Sequence, residues 1–555
     1  MSKIKFQILG KRKEIDLLGK PLREVPGISG YLENFTRGRA PTLETQFGDP
    51  LDRTGVLNVG LNLIKSWRPS IPRLVDYELG RVKKYGAQGG IPPLDAPEPV
   101  TLFGYYYTHC DQPCRIDPAA LKILKRMYSA DLRPLTPEET VLRMWKKTKL
   151  KSNCGISLGF TKRANVVEQA IEKARRILAG DLIVSPSVLG ARSIRQGFRF
   201  IYMADFAWNI AELAYIYPMM DWMQLNFPNV AAWGGQTAVV KAVNDSKVFD
   251  MSRVTHMSTD FTKMDTSMGP AQLREYFHLT QGLLADSADK EIWRKIVTTD
   301  ASLPIIVGAV LSPGTAQGAK KTYRLVQASG THGLLSGLGI TNHCETVLNG
   351  TIPIEMATLH KQTVIAFQSQ GDDGMMTLEE KRPGAAATAF ATVATRRGLV
   401  ANAEKQFESP DEIHFLQRVY SPETRKQGLI DGAYPLLLAL NSTKNPERAD
   451  FGVDPVLREI EIAENCNGHP AFEQIVQFYT ELDPRIPELI QDREAMRQLS
   501  QAHDARMEAQ EQSGDLTRTG KLDDFDFVRI VKGERPIPLR EKFQMLRGID
   551  YDIEL

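Results

Sequence analysis

Asp372 and Asp373 stand side by side between Gly371 and Gly374. Two carboxylates that close repel each other unless a cation neutralises them. Oxygen ligands of this kind suit Mg²⁺ or Mn²⁺. The plainer reading is an Asp-Gly turn with solvated charges. A second acidic pair, Asp260 and Asp265, is spaced Asp-x4-Asp. A third polar group, Ser336, Gly337, Thr341 and Asn342, lies in a stretch that also holds Gly330, Gly333 and Gly339. Glycines so dense let a backbone approach a ligand closely. From Lys146 to Arg199 twelve Lys and Arg face three acids, an excess of nine positive charges that attracts polyphosphate or nucleic acid. A solvated helix face is the alternative, and for Arg175 and Arg176 it is the preferred one.

The elements that must position these groups are legible in part. Thr363 to Leu378 reads as strand, tight turn, strand, with positive φ expected at the bracketing glycines. The segment 253–260 reads as a strand ending in an acid. The alternation from Gly197 to Met203 reads as a strand with Arg199 and Ile201 on one face. Tyr202 to Phe227 reads as a buried helix. A helix is expected over about 338–348, with Asn342, Glu345 and Asn349 along one face. Helices are also expected after Asp117-Pro118, after the capping box Thr136 to Glu139, over Ala164–Leu178, after Pro270 and over Ala385–Arg397. Glu412 to Tyr420 alternates like a single strand. Residues 1 to about 100 are rich in Pro and Gly and read as a loop-rich wrap without a core of their own. From about 425 to 505 the chain reads as helical.

Composition sets outer limits. The 555 residues can bury a sizeable core, and 42% hydrophobic with 25% charged residues is ordinary for a globular protein. No run of about 20 apolar residues points to a transmembrane helix, and the N-terminus is a poor match to a signal peptide. Five scattered cysteines suit a reducing compartment with no disulfide framework. His109, Cys110 and Cys114 have zinc-like spacing, but no second pair lies near, so incidental thiols are preferred.

The order of the three groups is far more specific than any one of them. Asp-x4-Asp, then Ser-Gly-x3-Thr-Asn leading into a helix, then a Gly-Asp-Asp hairpin, resembles the palm of a viral RNA-dependent RNA polymerase. The flanking residues look most like polymerases of picobirnaviruses, with partitiviruses second. The motif-bearing match spans about 150–420.

The resemblance implies an α+β right-hand fold of fingers, palm and thumb. An antiparallel palm sheet is flanked by helices, with N- and C-terminal extensions. It implies an extension at 1–100 bridging fingers and thumb, fingers at 101–250 with an insertion at 271–325, and palm at 251–270 and 326–425. Thumb is expected at 426–510, with a tail at 511–555 that can plug the cavity. Asp260 and Asp372, with Asp373 beside it, are the expected ligands of two Mg²⁺ or Mn²⁺ ions. Asp265 and Asn342 resemble the pair that reads the ribose 2′-hydroxyl. Ser336, Gly337 and Thr341 match the loop beside template and incoming nucleotide. Arg199, Arg195 and Arg192 match the triphosphate-holding motif. Ser152, Asn153 and Gly155 fall where template is guided, Lys405 where a lysine protonates pyrophosphate, and Phe415 to Arg418 where the nascent strand is gripped.

The implied enzyme replicates and transcribes a double-stranded RNA genome, without a primer, from nucleoside triphosphates. Its expected setting is the virion interior and host cytoplasm, as a monomer with capsid protein as partner and no membrane. A reverse transcriptase is the alternative enzyme. An aromatic at 265 would exclude the 2′-hydroxyl, and Asp265 argues against it. A catalytically inactive RNA-binding protein is the alternative outside catalysis. A metal phosphohydrolase ranks lower, because His ligands beside the acids are missing except for His256.

Overall fold

The computed structural model describes residues 5–9, 25, 27–41, 53–82, 89–146, 149–195, 197–312, 322–379, 384–422, 428–438, 453–511 and 521–534. The chain divides into two compact units. The first holds Met1–Ala40, Gly90–Ser193 and Phe198–Leu416; the second holds Pro41–Gly89, Ile194–Gly197 and Gln417–Leu555.

Strands β1 (Lys5–Leu9), β2 (Ser187–Ile194), β3 (Gly197–Met203), β4 (Val254–Thr259), β5 (Ile305–Ser312), β6 (Thr322–Ser329), β7 (Val364–Gln370), β8 (Asp373–Glu379) and β9 (Phe407–Ser409) build two sheets. The five-stranded sheet has the order β1-β6-β5-β2-β3. The four-stranded sheet has the order β7-β8-β4-β9 and is antiparallel throughout.

Alternation explains β3. Phe198, Phe200 and Tyr202 are buried while Arg199 stays exposed, as a period of two demands. The buried helix that follows starts later than its apolar run implies, at Phe206 rather than Tyr202. The alternation carries the chain as strand through Met203, and Asp205 then caps the helix by accepting from the Trp208 amide at 3.1 Å. The helix Phe206–Asn226 is apolar on nearly every face and buried accordingly.

The helix Thr341–His360 packs along β7 and β8, and the helix Ala385–Arg396 along β4. Glu408 of β9 caps the second of these, accepting from the amides of Gly384 at 2.9 Å and Ala387 at 2.7 Å. The expected helices after Asp117 and Thr136 begin at those caps. Asp117 accepts from two amides, and Thr136 and Glu139 exchange reciprocal bonds.

Three expectations are corrected. The Glu412–Tyr420 strand is two short ones, Ile413–Phe415 and Arg418–Tyr420, broken where Leu416 and Gln417 take φ of 50° and 63°. Gly374 needs no positive φ. It lies in β8, and its constraint is close approach, since a Cβ there would come within 2.4 Å of Thr259 Oγ1. Residues 53–81 are not a coreless wrap. They form helices Arg53–Ser66 and Pro72–Arg81, the prolines starting helices rather than breaking them.

Those two helices supply Val56, Ile64 and Val75 to the core of the second unit, and Trp67, just after the first, joins them. The remaining core comes from residues 433–528, including Leu436, Leu457, Ile475, Tyr479 and Phe527. Buried Glu78 accepts from the Gly432 amide at 2.9 Å and bonds His469 at 2.6 Å. The tail contributes to this core as well, through Phe525, Phe527 and Val528, while 512–520 and 535–555 lie outside the described residues. The five cysteines are free thiols, four of them buried. Among the described residues no helix is long and apolar enough to cross a membrane.

Candidate active site at the end of the four-stranded sheet

The ladder of β4 against β8 brings the two acidic segments together. Thr259 pairs with Gly374, so Asp260 emerges beside the Gly371–Asp373 turn. Gly371 takes φ of +60° to turn the chain there. Asp260, Asp372 and Asp373 are all exposed.

The backbone around these acids is held by polar side chains that no motif had singled out. Asn349, on the face expected to carry Asn342 and Glu345, donates to the turn carbonyls of Gly371 at 3.2 Å and Asp373 at 3.0 Å. Thr346 Oγ1 accepts from the Gly371 amide at 2.8 Å. Gln406 grips Asp260 at both backbone groups, its Oε1 accepting from the Asp260 amide at 2.9 Å and its Nε2 donating to the Asp260 carbonyl at 3.0 Å. The β4–β9 backbone ladder ends at Ser258 and Phe407. Gln406 continues that ladder with a side-chain amide.

Among the described residues neither Asp260 nor Asp372 forms an ion pair. Although the Asp372 side chain reaches solvent, the surrounding protein partly desolvates its carboxyl and pushes it up, the Asp260 charge adds to this, and the Arg199 guanidinium opposes it. Burial likewise raises Asp265, with Asp372 adding and Arg199 opposing. Glu345, half-buried beside Gly371, is pushed well above the carboxylate range by burial and by repulsion from Asp372 and Asp265. Among the described residues no three His, Cys, Asp or Glu side chains form a ready cage for an ion. A Mg²⁺ site built from one or two carboxylates plus substrate phosphates needs no such cage.

Asp265 lies on the short helix Met264–Ser267 and accepts from the Tyr106 hydroxyl and from the Thr266 amide at 2.9 Å. Asn342 is exposed at the start of the helix Thr341–His360, its Oδ1 accepting from Trp233 Nε1 at 3.4 Å. The hydrogen bonds of Asp265 and Asn342 therefore go to separate partners. Gly337 sits where any Cβ would fall 1.6 Å from the Tyr202 carbonyl. Asn209 spans that loop, donating to the Gly337 carbonyl at 3.2 Å and accepting from the Gly339 amide at 3.1 Å. Ser336 stands exposed beside Gly337, and the Thr341 hydroxyl donates to the Leu335 carbonyl at 2.8 Å.

Arg199 is the predicted arginine whose charge acts on these acids. Arg192 is exposed on β2, and Arg195 is half-buried between β2 and β3. Lys405 is exposed, one residue before Gln406. Asn153 and Gly155 make a turn, Asn153 Oδ1 accepting from the Gly155 amide at 2.8 Å, while the Ser152 hydroxyl donates to Lys149. Arg418, in the second unit, donates to the Gly428 carbonyl at 2.9 Å.

No family model matches the chain. One curated relative is a potential RNA-dependent RNA polymerase of a human picobirnavirus. It is 26% identical over 483 residues, which cover 82% of this chain and 84% of the relative. The crystal structure of a human picobirnavirus RNA-dependent RNA polymerase superposes with a TM-score of 0.73 at 23% identity, covering 92% of this chain and 97% of that one. This is the fold of a picobirnavirus polymerase. An insertion-loop deletion mutant of such a polymerase gives a TM-score of 0.71 at 22% identity, with the same coverage of both chains. The resemblance drawn from the sequence motifs thus extends to the sequence and fold of picobirnavirus polymerases over most of the chain. Asn349, Gln406 and Tyr106 supplement the motifs. Asn349 is detectable seven residues after Asn342, whereas Gln406 and Tyr106 carry no sequence signal.

Proposed function

We propose that this chain is an RNA-dependent RNA polymerase that copies and transcribes the genome of a double-stranded RNA virus, starting without a primer. The observation that carries the reading is the meeting of Asp260 and Asp372 at one sheet end with Arg199 acting on both Asp372 and Asp265. The donor set fits divalent ions, being oxygen-only, and the Asp372 carboxyl is raised by burial and by the Asp260 charge beside it. Asp260 and Asp372, supported by Asp373, would hold two Mg²⁺ or Mn²⁺ ions. Such ions, when bound, activate the 3′-oxygen of the strand being made and stabilise the pyrophosphate leaving group.

The chain's own residues do the rest. Arg199, with Arg192 and Arg195, offsets charge on the triphosphate through forked guanidinium contacts. Asp265 and Asn342 select ribose by its 2′-hydroxyl. Ser336, Gly337 and Thr341 seat the nucleotide against the template, and Gly337 keeps the loop against the Tyr202 carbonyl. Lys405 donates a proton to departing pyrophosphate. Ser152, Asn153 and Gly155 guide the template, with Asn153 acting through the turn it braces, and Arg418 serves as a nascent-strand contact of the second unit.

In this reading the four-stranded sheet is the palm, the five-stranded sheet belongs to the fingers and the second unit holds the thumb. The enzyme works as a monomer with capsid protein, in the virion and host cytoplasm. The test is labelled-nucleotide incorporation on a short unprimed RNA template with Mg²⁺, comparing wild type with Asp372→Ala. Product from wild type alone supports the proposal. RNA binding without incorporation, primed or unprimed, replaces it with an RNA-binding protein that does not catalyse.

A further inference from the structure

Asp265 owes its orientation to a helix far earlier in the chain. Tyr106, on the helix Pro97–Thr108, is buried and donates its hydroxyl hydrogen to Asp265 Oδ2. The other carboxylate oxygen accepts from the Thr266 amide at 2.9 Å. The ring is itself fixed, standing edge-on to Tyr202 with centroids 5.2 Å apart. The Tyr106 backbone is anchored too, its carbonyl accepting from the Gly333 amide at 2.7 Å. The next residue of that glycine-rich loop, Leu334, donates its amide to the Asp265 carbonyl at 2.9 Å. The loop approaches so closely that a Cβ on Gly333 would lie 2.6 Å from the carbonyls of Asp265 and Thr266. Beside it, the Tyr105 ring carries the Lys263 ammonium 4.3 Å from its centroid. One pair of tyrosines thus touches both charged side chains, Lys263 and Asp265, of the segment 261–269.

We propose that Tyr106 is a specificity-determining positioning residue, whose hydroxyl holds the Asp265 carboxylate in the orientation that reads the sugar 2′-hydroxyl of the incoming nucleotide. The proposal rests on the polymerase reading above. A carboxylate has about four acceptor positions, so two committed bonds leave capacity for a substrate hydroxyl. An Asp without the Tyr106 bond rotates and hydrates, and discrimination by a polar group depends on its being held in place. Burial, then the neighbouring Tyr202 and Asp265, push the Tyr106 phenol well above its ordinary range, so it remains a donor at any working pH. The bond also favours the ionised form of Asp265.

The experiment measures kcat/KM for a ribonucleotide and for its 2′-deoxy counterpart on the same RNA template, in wild type and Tyr106→Phe. The variant keeps the ring and removes the hydroxyl. The ribo-to-deoxy ratio falls about tenfold, the size expected for one hydrogen bond to a charged group. The fall comes from a higher ribonucleotide KM, with deoxynucleotide efficiency unchanged. Tyr105→Phe, which leaves the Asp265 bond intact, keeps the wild-type ratio. In an Asp265→Asn background, adding Tyr106→Phe changes the ratio no further, because the route runs through Asp265. An unchanged ratio in Tyr106→Phe overturns the proposal, as does an equal loss on both sugars, which assigns the residue to packing alone. If Tyr106→Phe fails to fold, replacing Tyr106 with 4-aminophenylalanine keeps a donor at the ring's para position, and a wild-type ratio there against a lowered ratio in Tyr106→Leu supports the proposal while equal ratios overturn it. A wild type that incorporates no nucleotide removes the polymerase reading, and this inference with it.

Discussion

Two clusters of charge lie at opposite ends of the helix Thr341–His360, and they are treated in opposite ways. Near its C-terminal end, Glu355 is fully buried and paired with Arg397, Nη2 to Oε2 at 2.7 Å. Glu355 also accepts from the Asp117 amide at 3.1 Å, and Arg397 donates to the carbonyls of Leu348 at 3.0 Å and Thr351 at 3.2 Å. Near its N-terminal end, Asp260 and Asp372 have no ion-pair partner among the described residues, and Asp372 feels the Asp260 charge more than the opposing Arg199. One end of the helix thus holds a carboxylate matched by guanidinium groups of the chain, and the other faces two carboxylates without an ion pair among the described residues. The backbone beneath the unpaired acids is nonetheless fixed by Asn349, Thr346 and Gln406. Rigid support under uncompensated charge is the signature of a site built for a cation or a phosphate-bearing ligand.

The largest expected break in this comparison is chemical. Asp260→Ala or Asp372→Ala lowers the incorporation rate by on the order of a thousandfold, the scale of losing a metal-centred stabilisation of several kcal/mol, while the melting temperature is held or raised. Rapid-quench incorporation beside thermal melting checks both halves. The mirror-image variant is Arg397→Leu. It leaves buried Glu355 with only the more distant Arg396, Nε to Oε1 at 3.5 Å, and costs about 3 kcal/mol of stability in denaturant melts, with activity per folded molecule retained.

A smaller effect joins the two regions. Asn349→Ala removes the brace of the Asp372 turn and costs about 1–3 kcal/mol, and because the turn then wanders, activity falls roughly tenfold. Equal activity in folded Asn349→Ala would show that the turn holds itself.

The smallest effect sharpens the comparison through pH. The folded-state pKa of Asp372 is raised by burial and by Asp260. Ionising it therefore opposes folding above that pKa, and the cost vanishes once pH falls below the ordinary carboxyl range near about 4. Asp372→Asn is accordingly more stable than wild type at neutral pH, and the gain shrinks as pH drops. A gain that grew with acid would reverse the sign and remove the argument.

The three motifs and their order were legible because turn chemistry and acid spacing are local. So was the alternation of β3, where side-chain size and charge change every second residue. The start of the helix Phe206–Asn226 was misjudged by four residues, because Tyr202 and Met203 are apolar whether they lie in strand or helix and the cap at Asp205 decides. Residues 53–81 looked loop-rich because proline marks both helix starts and loops, and only their packing against residues 433–528 distinguishes the two. Gln406 and Tyr106 were invisible for a different reason. Each acts on an acid more than 140 positions away in sequence, 146 for Asp260 and 159 for Asp265, and no local pattern encodes such a contact. The tail expected at 511–555 cannot be deleted whole to test a plug, because that would remove Phe525, Phe527 and Val528 from the core of the second unit.

The most direct test of uncompensated charge awaiting a cation is the melting temperature of wild type, Asp260→Asn and Asp372→Asn, each at neutral pH with and without Mn²⁺. A ligand that binds only the folded state stabilises it by mass action. Wild type is expected to melt several degrees higher with the ion and each variant to respond little or not at all. Equal shifts in all three proteins, or no shift in wild type with nucleoside triphosphate also present, would contradict the account.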